Sequence, residues 1–222
     1  MNNKMLLVII MSLIFFTFNI PKTFADNNHE QRYFVTFKEE VDTDYIKEKE
    51  GKIIRQFNTS SSVLIEASSE TIQRIKDNNE IVSIELDVEV EIDEAYETDW
   101  GLIDIDPQEQ LIPWNIDYIG STYAHQIDIT GKNVKVGIID SGINPHKDLK
   151  VSGGINIVGN NGNYYDDYGH GTKVAGIIAA LDNSYGIIGV APDVELYSIK
   201  VLKSNGKGSI SDVVAGIEWA IE

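Results

Sequence analysis

The chain has no cysteine, five prolines, and only 18 Lys and Arg against 35 Asp and Glu in 222 residues. Without cysteine there are no disulfide staples, so stability must come from packing, or from a metal that acidic and carbonyl oxygens can hold. A formal net charge of −17 argues against nucleic acid as a partner, because phosphate binding needs clustered Lys and Arg. Long apolar runs are also missing, except at the N-terminus. There Lys4 precedes the uncharged stretch Met5 to Ile20, Pro21 breaks it, and Thr23-Phe24-Ala25 offers small residues at a cleavage point. Residues 1–25 therefore read as a secretory signal peptide, and the mature chain as secreted and extracellular. An uncleaved membrane anchor is the alternative, since the apolar stretch nearly reaches spanning length.

The chain is long enough for one large domain or two smaller ones. Residues 26–96 read as a small α+β unit. Tyr33 to Phe37 is rich in β-formers, Asp42 to Glu50 carries helix-start acids, and Lys52 to Phe57 and Ser62 to Glu66 are strand-like. Ser68 or Ser69 caps a helix presenting Ile72 and Ile75, and Ile84 to Ile92 alternates apolar and acidic residues without a fault. Period two predicts one half-buried strand with its carboxylates in water. The order β-α-β-β-α-β is that of a ferredoxin-like split βαβ fold. From Glu85 to Glu109 there are eleven acids and no Lys or Arg. The alternation fails from Asp93, and 97–109 reads as an acidic, solvated linker.

Residues 110–222 alternate apolar strands with helices. Strands are predicted at Asn133 to Ile139, Gly154 to Val158 and Val194 to Val201, with helices at His170 to Leu181 and Ser209 to Glu222. This is an α/β pattern, the N-terminal half of a doubly wound parallel sheet covered on both faces. Functional groups in such sheets collect at the carboxyl ends of strands, and Asp140 stands at such an end. Thirty residues on, His170 lies between Gly169 and Gly171 and opens an apolar helix. The small flanks let a strand end approach, so that a carboxylate can hold one imidazole nitrogen while the other faces a hydroxyl. His29, His125 and His146 lack such surroundings and read as surface or loop residues.

The segments Val136-Gly-Ile-Ile-Asp-Ser-Gly-Ile143 and Gly169-His-Gly-Thr-Lys-Val-Ala-Gly176 resemble the Asp and His signatures of the subtilisin-like serine proteases, the subtilases or peptidase family S8. Gln110 to Ile116, Ala179 to Pro192, Tyr197 to Leu202 and Gly216 to Ile221 extend the likeness over 110–222. The resemblance implies a secreted endopeptidase that hydrolyses peptide bonds in polypeptide substrates through an Asp-His-Ser triad, with Asp140 and His170 as catalytic residues. It makes 26–96 an inhibitor-type (I9-like) prodomain, an intramolecular inhibitor and folding chaperone, with processing near Tyr96-Glu97. It also implies structural Ca²⁺ held by Gln110, Asp148, Leu181, Asn183, Tyr185 and Ile187. Gly206, Lys207 and Gly208 resemble the edge that pairs with an extended substrate, with Ile210 near an apolar subsite. Lys173 stands where many members carry a second His, a departure expected to tune packing rather than chemistry.

The family's oxyanion Asn and its Gly-Thr-Ser-Met-Ala nucleophile segment have no counterpart in the 222 residues, and Ser141, Ser209 and Ser211 stand in the wrong contexts to replace them. The expectation is a fragment, truncated before the nucleophile and inactive by itself, with an open strand edge. The other reading is a truncated product whose prodomain acts as protease inhibitor or chaperone. No membrane is expected for the mature form unless a further C-terminal segment anchors it.

Overall fold

The computed structural model describes residues 7–10, 29–92, 110–159 and 162–222. The expected linker 97–109, the processing site and most of the expected signal peptide lie outside the described residues. The first described element is a short strand, β1 (Leu7–Ile10), which joins the larger sheet discussed below.

Residues 29–92 begin with an antiparallel sheet in the order β3-β4-β2-β5, built from β2 (Gln31–Phe37), β3 (Lys52–Phe57), β4 (Ser62–Ala67) and β5 (Ile81–Leu86). Between the strands run α1 (Thr43–Glu48) and α2 (Ser69–Ile75). Both helices start where short polar side chains satisfy the first free amides. The Asp42 carboxylate accepts from Tyr45 N, and the Ser68 hydroxyl from Thr71 N. One sheet face packs Val35, Phe37, Val63 and Ile65 against Ile46 and Ile75 of the helices. The other face, with Phe34, Phe57 and Leu64, is equally buried, so β4 is dry on both sides.

The expected single strand from Ile84 to Ile92 is two. β5 ends at Leu86, and β6 (Glu89–Glu91) pairs elsewhere. The break falls at Asp87, whose side chain is only 1% exposed rather than in water. It accepts from Ser211 N and Ser211 Oγ at 2.9 Å each and pairs with Arg32 at 2.6 Å. A buried carboxylate needs such partners, and reaching them turns the chain out of the first sheet.

After α3 (Trp114–Tyr118) and α4 (Ser121–Gln126), a wholly parallel sheet forms in the order β1-β7-β9-β8, from β7 (Lys135–Asp140), β8 (Val151–Asn156) and β9 (Glu195–Lys200). β8 starts three residues earlier than expected. α5 (His170–Ala179) covers the face carrying Val136, Ile138 and Leu196. α6 (Ile210–Ile221) covers the face carrying Ile139, Ile199 and Val201. Alternate residues of β7 thus serve opposite helices, as a strand buried on both faces requires. α5 is less buried than its composition predicts, because Ile177 is 47% exposed on the side away from the sheet.

The two sheets meet across α6. Phe34, Phe57 and Leu64 pack on Ala215, Val214 and Ile210. Glu218 Oε1 accepts from Thr59 N and Thr59 Oγ1, both at 2.8 Å. The short strand β10 (Lys207–Ser209) pairs antiparallel with β6. β1 lies parallel along the edge of β7, so this edge, expected to be open, carries the segment read as part of the leader. α3 and α4 leave Trp114, Tyr118, Ile119 and Tyr123 in solvent. Among the described residues, no helix is long and apolar enough to cross a membrane.

Candidate active site

Asp140 closes β7 and His170 opens α5, so one strand end faces one helix start. His170 Nδ1 lies 2.8 Å from Asp140 Oδ2 and 2.9 Å from Oδ1, which assigns the proton to Nδ1 and leaves Nε2 as the nitrogen not engaged by the carboxylate. Asp140 is 2% exposed while the His170 side chain is 32% exposed. A dry carboxylate therefore orients an imidazole that reaches solvent. The approach depends on Gly171, where an added Cβ would stand 2.2 Å from Gly142 O and 3.2 Å from Asp140 Cβ. The hydrogen bond to Asp140 holds the His170 imidazole above its ordinary range; burial opposes this, and the Asp166 charge adds to it.

Two groups that hold this pair together were not singled out from the sequence. Asp166 is 6% exposed and collects the loop before α5. Its Oδ1 accepts from Ser141 Oγ (2.8 Å), Gly169 N (2.7 Å) and Tyr168 N (3.0 Å), and its Oδ2 from Thr172 N (2.9 Å) and Thr172 Oγ1 (2.6 Å). Burial pushes its pKa up, but the bonds from Thr172, Gly169 and Ser141 outweigh it and hold it below the ordinary carboxylate value. Ser141 Oγ also accepts from Gly171 N at 2.9 Å, tying the Asp strand to the His helix. The signal was an Asp three residues before a Gly-His helix start, where a carboxylate meets free amides.

The second is Lys200, 3% exposed at the end of β9. Its ammonium donates to Ser141 O (2.6 Å), Leu202 O (2.7 Å) and Asp167 Oδ1 (2.6 Å), so all three of its protons have acceptors. The sign in the sequence was a lone cation inside the apolar run Tyr197 to Leu202. Lys173 is exposed, so its influence is electrostatic and not the packing effect expected: its charge opposes protonation of His170. His125 Nε2 meets Val190 O at 2.9 Å, and His146 Nδ1 accepts from Asp148 N at 3.2 Å, structural roles away from the pair.

The residues expected around calcium converge. Gln110 Nε2 lies 3.0 Å from Ile187 O and within bonding distance of Leu181 O. Asn183 Nδ2 donates to Asp148 Oδ1 (3.1 Å), Ile187 N to Asp148 Oδ2 (3.2 Å), and Tyr185 N to Asn183 Oδ1 (2.9 Å). Two main-chain carbonyls thus point at the Gln110 amide group. Turning that amide would bring Oε1 to the same point at the expense of the bond it now accepts from Ser184 N (3.3 Å), and the set would become carbonyl, amide and carboxylate oxygen, the hard donors Ca²⁺ takes. Among the described residues, no cluster of three or more His, Cys, Asp or Glu offers a metal site of another kind.

Of the expected substrate edge, Gly206, Lys207 and Gly208 lie on and beside β10, and Ile210, half-buried, packs against Leu202, Val90 and the apolar cluster beneath. Here the edge is already paired with β6 of the same chain.

A parallel α/β sheet with a buried carboxylate holding an imidazole at its carboxyl end defines the class of this half of the chain. Residues 131–222, which contain both groups, match the subtilase family, Peptidase_S8. The chain is 34% identical over 225 residues to the minor extracellular protease Epr of Bacillus subtilis, covering 100% of this chain and 35% of that protein. It is 34% identical over 215 residues to a thermostable alkaline protease of Halalkalibacterium halodurans (96% and 55%), and 38% identical over 201 residues to subtilisin E of Bacillus subtilis (86% and 49%). The chain spans about half the length of the curated relatives it matches, or less.

Proposed function

We propose that this chain is part of the precursor of a secreted subtilisin-like serine endopeptidase, with Asp140 and His170 as two members of an Asp-His-Ser triad. The observation that carries the reading is the Asp140–His170 pair inside the subtilase-matching segment. The chemistry is acyl transfer: His170 Nε2 takes the proton of a serine hydroxyl as that oxygen attacks the scissile carbonyl, Asp140 stabilises the imidazolium, and water hydrolyses the acyl-enzyme. Asp166 and Lys200 act through the pair, by fixing the loops that carry it. No counterpart of the family's nucleophile segment stands among these 222 residues, so only the Asp and His members of the triad are assigned here. The exposed apolar side chains of α3 and α4 agree with a domain whose remaining helices lie elsewhere.

Residues 26–96 serve as the inhibitory prodomain, with 97–109 as linker and cleavage near Tyr96-Glu97. The strand order β3-β4-β2-β5 with two helices on one face supports the ferredoxin-like reading, and the seat of β6 on β10 supports inhibition by occupation of the substrate edge. Ca²⁺ bound through Gln110, Asp148, Leu181, Asn183, Tyr185 and Ile187 would brace that loop against the sheet.

Reading the coding frame past codon 222 tests the proposal, together with the mass of the secreted product. An open frame containing a Gly-Thr-Ser segment, whose product hydrolyses peptides and loses this with His170→Ala, supports it. A stop codon and a mass for residues 26–222 would favour the second reading, an inhibitor or chaperone acting in trans. That reading draws on the same β6–β10 contact, and inhibition of subtilisin E by residues 26–96 would support it.

A further inference from the structure

The antiparallel ribbon of β6 and β10 sets Lys207 opposite Glu91, Gly208 opposite Val90 and Ser209 opposite Glu89. Main-chain bonds from Ile92 N to Gly206 O and from Ile210 N to Val88 O, both 3.0 Å, continue it on either side. Such bonds give affinity to any extended segment and are indifferent to its side chains; selectivity comes from pockets and charges beside them. Val90, 2% exposed, points inward among Ile139, Val201 and Leu202. Strand alternation then turns Glu89 and Glu91 to the opposite side. There the Lys207 ammonium meets Glu89 Oε1 at 2.8 Å and Glu91 Oε2 at 2.9 Å.

Among the described residues of β10 itself no other side chain is free to read the segment, and Ile210 just beyond it packs on the apolar cluster beneath. Gly206 has no side chain. At Gly208 a Cβ would stand 2.3 Å from Val201 O, so none fits. Ser209 is committed to α6, with its hydroxyl 2.6 Å from Asp212 Oδ2 and 2.9 Å from Ser211 Oγ. One cation held between two carboxylates two residues apart is a charge filter with an apolar register pin between them.

We infer that Lys207 sets the charge preference of the β10 edge, selecting extended peptide segments that carry a carboxylate on each side of a buried apolar residue, and that Glu89-Val90-Glu91 is the chain's own segment of that kind. The inference rests on β10 being the substrate-pairing edge and narrows its substrates to acidic-apolar-acidic sequences. A Lys-x-Lys segment would crowd three ammonium groups at the same place. The bonds to Glu89 and Glu91 raise the Lys207 ammonium above its ordinary range, so it stays charged at neutral and mildly alkaline pH.

Amide hydrogen exchange of the full chain tests this without requiring hydrolysis. Lys207→Ser is expected to speed exchange of residues 88–92 about threefold and Lys207→Glu about tenfold, as two exposed ion pairs and then their reversal imply. Glu89→Lys/Glu91→Lys combined with Lys207→Glu is expected to restore protection. Amides of β4 and β9 report that each variant remains folded. Unchanged protection in Lys207→Glu, or no recovery in the triple variant, overturns the inference. Independently of any variant, the peptide Val-Glu-Val-Glu-Ile added to the wild-type chain should displace residues 88–92, while Val-Lys-Val-Lys-Ile should not; equal displacement by both overturns it too. Failure of the protease reading would appear separately, as a longer frame that cleaves no peptide while the charge swap still behaves as stated.

Discussion

The His170 imidazole shares both oxygens of the Asp140 carboxylate, at 2.8 and 2.9 Å, so rotation about the final bond of Asp140 leaves the ring held. Asp140 Oδ1 also accepts from Ser141 N at 2.6 Å, which fixes the carboxylate from behind. The pair is a rigid unit joining the end of β7 to the start of α5.

The raised His170 pKa links this unit to pH. The folded state binds the proton more tightly than the unfolded chain, so the contribution is full below the ordinary histidine value of about 6.5. It is lost as pH rises through the raised folded value. Following the His170 ring resonances by NMR should give a midpoint above the ordinary value, and Asp140→Asn should lower it, because the hydrogen bond to Asp140 is the largest cause of the rise. An unchanged midpoint in the variant would show that Asp140 is not the cause.

Replacing Asp166 by Asn keeps the shape but loses the charge that accepts five hydrogen bonds. Charge-assisted bonds of buried groups are worth enough that about 2–4 kcal/mol of stability should be lost, read from urea midpoints near neutral pH. Because its pKa is depressed, the loss should shrink as pH falls through the folded value, where the wild-type carboxylate is itself protonated.

Gly171→Ala puts a methyl group 2.2 Å from Gly142 O, against main chain that cannot swing aside. Overpacking of this kind costs about 1–3 kcal/mol. The specific outcome is displacement of α5 from β7, seen as loss of the elevated His170 midpoint. Gly176→Ala, whose nearest contact is 4.0 Å away, is the control expected to leave that midpoint in place.

Calcium at about a hundredfold excess over its dissociation constant should stabilise the fold by about 2.7 kcal/mol, and a chelator should remove this. Asp148→Asn should abolish the calcium-dependent part of the melting temperature, since Asp148 is the one carboxylate in the set. Identical melting with calcium and with chelator, in a protein carrying the whole catalytic domain, would end the calcium reading.

Much of the architecture was legible because it follows from local rules. Period-two and apolar runs gave β2 to β4, β7 and β9, and Asp42, Ser68 and Ser209 marked helix starts by offering oxygens to free amides. The motif pair of Asp140 and His170 was readable because both sit at element ends with small neighbours. The break at Asp87 was not, since perfect alternation through Ile92 says nothing about a partner 124 residues away at Ser211. Asp166 and Lys200 escaped notice for the same reason: each is a single charged residue whose partners come from distant segments.

The sequence by itself determined most of the longer strands and helices and which two residues carry the resemblance to a protease, because those are matters of spacing and side-chain type. Tertiary structure alone decided that the N-terminal sheet is buried on both faces, that β6 leaves it to sit on β10, and that Lys207 stands between Glu89 and Glu91. The physical reason is that burial of a second face and pairing of opposite charges depend on which surfaces meet, and no local pattern encodes that meeting.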